Sequence, residues 1–130
     1  MKRTFLLTLC ILLLFNTVIC VAEEMEARAS SVFISGSVIC TSTMYTQFSA
    51  SLKIECETIY VSSVVLQKKS GSSWQTIKSL TAPSDIVSND KQFRAYANYN
   101  DSYESGIYRL KAVFNADGYE KTYYSNQVTF

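Results

Sequence analysis

Polar and apolar residues alternate along most of this chain with a period of two. The clearest stretch covers residues 45–57. There Phe48, Ala50, Leu52, Ile54 and Cys56 fall on one side, and Gln47, Ser49, Ser51, Lys53 and Glu55 on the other. Side chains of a β-strand point to opposite faces in turn, so this pattern predicts a strand with one buried and one wet face. Six further strands are expected: residues 31–41, bent at Gly36, then 60–69, 74–80, 93–99, 107–115 and 121–130. Turn residues separate them. Ser70-Gly71-Ser72-Ser73 and Ala116-Asp117-Gly118-Tyr119 read as hairpin turns, Ala82-Pro83-Ser84-Asp85 as a loop, and residues 100–106 as the longest polar turn. No segment carries a long helical period. Short strands spaced at about 8–12 residues predict an all-β fold, a seven-stranded Ig-like β-sandwich with Greek-key connections, over residues 30–130.

The first 29 residues follow another pattern. Lys2 and Arg3 precede an apolar run over residues 5–21, interrupted only by Thr8, Asn16 and Thr17. A short basic start, an apolar stretch and small residues after it form a secretory signal peptide. Cleavage is expected after Ala29, in Ala27-Arg28-Ala29, or after Ala22, in Cys20-Val21-Ala22. An uncleaved anchor would need about 20 apolar residues, more than this interrupted run offers. Ile19 before Cys20 argues against lipidation. The expected location is therefore extracellular, with no stable membrane span after cleavage.

Export bears on the cysteines. Cys10 and Cys20 leave with the signal, and Cys40 and Cys56 remain as an even pair, which in an exported domain points first to a disulfide. If residues 31–41 and 46–56 form one hairpin, however, Cys40 lies near Gln47 and Cys56 about 30 Å further on. A bridge tolerates about 7 Å between Cα atoms. Parity places both cysteines inward as small hydrophobes. Buried free thiols are favoured, and a bridge would need the first strand to switch sheets near Gly36.

Composition narrows the chemistry. The chain has no histidine, which removes the usual general base and zinc ligand together. A formal net charge of +1 makes an electrostatic nucleic-acid binder unexpected. No cofactor and no metal are indicated, and no catalytic residue can be named.

The segment Ser105-Gly106-Ile107-Tyr108-Arg109-Leu110-Lys111-Ala112-Val113 resembles the sixth strand of immunoglobulin-like and fibronectin-III-like domains. In that pattern Tyr108 makes the tyrosine corner and Leu110 is the core position two residues on. Leu110 stands where antibody domains carry a cysteine. The run from Val64 to Ile77, with Trp74 after its Gly-Ser loop, is similar to a hairpin of bacterial extracellular Ig-like modules. As a whole, residues 30–130 resemble a family of small exported proteins of clostridia-like Gram-positive bacteria built as a signal peptide and one such sandwich. The resemblance implies a fold and no activity.

Several residues carry candidate chemistry. Outward or turn-borne aromatic rings suit stacking on sugars or proteins: Trp74, Tyr96, Tyr99, Tyr103, Tyr119 and one of the neighbours Tyr123 and Tyr124, with Tyr124 taken as the outward one. Half-buried strand tyrosine is the plainer account, and Trp74 would otherwise cover the core edge. Asp101 and Glu104 offer oxygen ligands without the spacing of a calcium loop. Glu55 and Glu57 share a strand face at a carboxylate-pair separation, with charged protection of an edge as the simpler reading. Lys53, Lys68, Lys69 and Lys78 offer a mild basic patch for a wall polyanion, with a solvated charged face as the plainer reading. The functional expectation is a secreted, non-catalytic binding or adhesion domain that contacts cell-wall polysaccharide, glycan or a surface protein. The alternative is a secreted effector such as a bacteriocin-like toxin or inhibitor.

Overall fold

The computed structural model describes residues 28–130. The expected export signal lies outside the described residues, apart from Arg28 and Ala29, as do Cys10 and Cys20. After a helical turn over residues 28–32, eight strands follow: β1 (Phe33–Cys40), β2 (Tyr45–Cys56), β3 (Ile59–Ser70), β4 (Ser73–Leu80), β5 (Asp90–Asn98), β6 (Ile107–Ala116), β7 (Tyr119–Tyr124) and β8 (Val128–Thr129). No helix among the described residues is long and apolar enough to cross a membrane.

The strands form two antiparallel sheets. One has the order β1-β2-β5, and the other β4-β3-β6-β7 with β8 also paired to β6. The chain is thus an all-β sandwich. The first, second and fifth strands share one sheet and the third, sixth and seventh the other, as in Ig-type domains, with β4 added beside β3.

Local turn chemistry sets the hairpins. Gly71 opens the two-residue β3–β4 turn at φ 62°, and Asp117 and Gly118 take φ 50° and 86° between β6 and β7. Positive φ at both central residues of the β6–β7 turn, and at the first of the β3–β4 turn, gives the twist that a two-residue hairpin needs. The Asp117 carboxylate also accepts the backbone N–H groups of Glu57 and Thr58 at 3.0 and 2.8 Å. One turn therefore secures the β2–β3 crossover as well.

The core lies between the sheets. Phe48, Phe93 and Phe114 meet at 5.9–6.4 Å, and Tyr123 stands edge-on to Phe114 at 5.4 Å. Met44, Ile59, Val64, Leu66 and Leu110 are fully buried around them. Tyr108 is buried, and its hydroxyl donates to the Glu104 carbonyl at 2.9 Å.

Three expectations change. The segment over 121–130 is not one strand. After Tyr124 the regular ladder ends: Ser125 still bonds Leu110 of β6 but also bridges Val38, and the Asn126 amide bonds both the N–H and the carbonyl of Cys40 at 2.8 Å. The chain then returns to β6 as β8. The break lets one segment close the edge between the sheets. Ile54 does not face inward: the β2–β5 register shifts between Ser51 and Cys56, and Ile54 is 53% exposed. Nor does β1 bend at Gly36, since its irregularity falls between Phe33 and Ser35. Gly36 instead makes room, because an added Cβ would lie 2.3 Å from the Tyr123 ring.

Candidate functional site

The two sheets present different outer faces. On the three-stranded sheet, strand register aligns Ile39, Gln47 and Tyr96 in one row, Ser37, Ser49 and Arg94 in the next, and Ser35, Ser51 and Gln92 in the third. Tyr45, at the start of β2, lies diagonally from Tyr96. The two rings stack at 5.9 Å with 17° between their planes, and both are about half exposed. Ile39 is exposed beside them. Ser37 and Ser49 share a hydrogen bond, and Gln92 donates to Ser51. The face is therefore a small apolar island beside a polar floor of hydroxyls, amides and the exposed Arg94. An open cleft of about 530 Å³, lined by Tyr96 and the Lys78–Asp85 segment, adjoins it.

On the five-stranded sheet the rings are occupied. Gln67, Arg109 and Thr76 lie in one row, Trp74 pairs with Lys69, and Tyr124 pairs with Lys111. The Arg109 guanidinium carbon is 4.2 Å from the centroids of both Trp74 and Tyr124. Arg109 Nε donates to Gln67 Oε1 at 2.8 Å. Trp74 comes from β4 and Tyr124 from β7, on either side of β3 and β6, so the rings flank the guanidinium. Trp74 is thus not a cover for the core edge; it stands on the outer face against a cation.

The other candidate aromatics hold the fold. Tyr99 is half-buried, its hydroxyl donates to the Thr81 carbonyl, and burial pushes its pKa up to about 12. Tyr103 stacks on Phe130 at 4.8 Å and donates to the Tyr99 carbonyl. Tyr119 and Tyr123 pack against the core, whereas Tyr124 is exposed. Of the six rings singled out from sequence, Tyr96 alone pairs substantial exposure with no cation packed on it. Its partner Tyr45 was not among them, although it shares the outward parity of Gln47.

The charged candidates disperse. Lys78 pairs with Asp101 at 2.7 Å and Lys68 with Glu104 at 3.4 Å. Hydrogen bonding by Lys78 lowers the Asp101 pKa, and the lysine pKa rises with it. Among the described residues, no group of three acidic, cysteine or histidine side chains is gathered for a metal. The mild basic patch does not form either. Lys68 and Lys78 face carboxylates, while Lys53 lies on β2 and reaches the Ser30 carbonyl. Glu57 falls beyond the end of β2, so it no longer shares a strand face with Glu55.

Cys40 and Cys56 are both free and buried. Cys40 pairs with Thr46 and Cys56 with Asp90, at opposite ends of β2. Burial raises both thiol pKa values. The hydrogen bond from Thr46 partly offsets the rise at Cys40, while the charge of Asp117 adds to it at Cys56. Neither is poised as a nucleophile. No protein-family model matches this sequence, and no curated protein matches it.

Proposed function

We propose that this chain is a small exported, non-catalytic binding module that seats a surface polysaccharide on the outer face of its three-stranded sheet. The stacked, half-exposed Tyr45–Tyr96 pair carries this reading. Single half-exposed tyrosines are ordinary, but here two stacked rings and the exposed Ile39 gather on one patch, and an apolar patch rimmed by polar groups favours a partner. Tyrosine suits a sugar because it offers a flat apolar ring with a polar tip. The neighbouring serines and glutamines match the hydroxyls of a glycan, and Arg94 among them adds a further hydrogen-bond donor. The missing histidine and the buried, protonated thiols support binding over catalysis.

Sedimentation with insoluble neutral polysaccharides and peptidoglycan sacculi, at low and high salt, tests the proposal. Retention should survive high salt, because ring stacking is not screened. Each ring is worth about 1 kcal/mol beyond its buried area, so the Tyr45→Ala, Tyr96→Ala double variant should bind roughly tenfold or more weakly. Equal retention of wild type and double variant would refute the assignment. Absence of retention on every polymer would also refute it, and protein partners or target-cell killing would then be examined.

A further inference from the structure

We propose that Arg109 forms a second binding site, on the opposite sheet, for the carboxylates of an acidic polysaccharide. The site is independent of the Tyr45–Tyr96 reading. Both faces of the guanidinium are taken by Trp74 and Tyr124, and Nε is held by Gln67. Its two Nη groups donate to no acceptor among the described residues, and no carboxylate among them pairs with it. A planar fork fixed in this way is pre-organised for bidentate bonding to a planar carboxylate.

The surroundings specify the ligand further. Lys69 lies beside Trp74, and Lys111 beside Tyr124, on the same face. Glu120 is the carboxylate that the register places on this face; it sits beside Asn115 and is bonded to Asn115 and Ser62. The face around Arg109 is therefore positive. Arg109 and Lys111 are two residues apart on one strand, about 7 Å, so a polymer with repeated carboxylates meets both. The exposed edges of Trp74 and Tyr124 supply apolar surface for the sugar ring that carries each acid. A flat sheet face suits a chain more than a small molecule.

Trp74 is the one tryptophan of the chain, so its emission reports on the site directly. The full chain would be titrated with polygalacturonate oligomers, with their fully methyl-esterified form, with polyglutamate and with polyphosphate. We expect a saturable change in Trp74 emission with polygalacturonate and none with the ester. Arg109→Lys keeps the charge but loses the fork and should weaken binding about tenfold or more. Lys111→Gln should weaken it only a few-fold. A thermal melt confirms that each variant is folded, and the wild-type titration decides the matter should Arg109→Lys fail to fold. Equal response to the ester, tighter binding of polyglutamate or polyphosphate, or an unaltered Arg109→Lys affinity would overturn the proposal. No response to polygalacturonate would overturn it as well. Loss of neutral-polymer binding in the Tyr45→Ala, Tyr96→Ala variant leaves this site intact, so the two readings fail separately.

Discussion

The two outer faces use the same residue types to opposite ends. On the three-stranded sheet, Tyr45 and Tyr96 stack on each other and no cation among the described residues packs on them. On the five-stranded sheet, Trp74 and Tyr124 spend their ring faces on Arg109. An exposed aromatic is therefore not a binding surface by type. What decides is the neighbour that register supplies. Gln47 beside Tyr96 leaves the ring available, whereas Arg109 between two rings turns them into a holder for a charge.

Both faces depend on one core, and breaking it should abolish the distinction. Phe114 touches Phe48 and Phe93 from one sheet and Tyr123 from the other. Phe114→Ala should cost about 3–5 kcal/mol, a large part of a domain's stability, and chemical denaturation will show it. Gly36→Ala strikes the seam at Tyr123 and should cost about 1–3 kcal/mol by the same measurement, because the ring has to move. Arg109→Gln should cost only about 1 kcal/mol, the worth of two exposed cation–π contacts, yet change Trp74 emission. Tyr45→Ser with Tyr96→Ser should leave stability within about 0.5 kcal/mol per site while removing neutral-polymer binding. Such a split between stability and binding sets a recognition surface apart from a packing surface.

One effect comes from pH. Backbone hydrogen bonds, those of Thr58 and Glu57 among them, lower the Asp117 pKa. Its folded value is depressed, so its contribution is complete above the unfolded value of about 3.9 and is lost as pH falls through the folded one. Acid denaturation below about pH 4 should be shallower in Asp117→Asn than in wild type. The two thiols should resist alkylation at neutral pH in the native state and react together on unfolding.

What the sequence revealed was local. Gly71 and Asp117-Gly118 announce their hairpins because turn chemistry needs only neighbours in the chain. Period-two parity turns Tyr96 outward and Phe48, Ala50 and Leu52 inward. Parity fails where the backbone inserts an irregularity, as at Ile54, since nothing in the residue types marks the shift. The split of the last strand depends on Asn126 reaching Cys40, far away in sequence. Both candidate sites are non-local in the same way. Tyr45 meets Tyr96 only through the β2–β5 pairing, and Arg109 meets Trp74 and Tyr124 only once β4 and β7 flank β3 and β6. Their residues could be seen singly, but not their company.

The most direct test of two unlike faces is chemical-shift mapping of the protein with a neutral and with a carboxylated oligosaccharide. The account predicts that the neutral sugar moves Ile39, Tyr45, Gln47 and Tyr96 and leaves Arg109 still, and that the acidic sugar does the reverse. Shifts of one shared set of residues by both sugars, or shifts confined to the Tyr99–Gly106 loop, would contradict it.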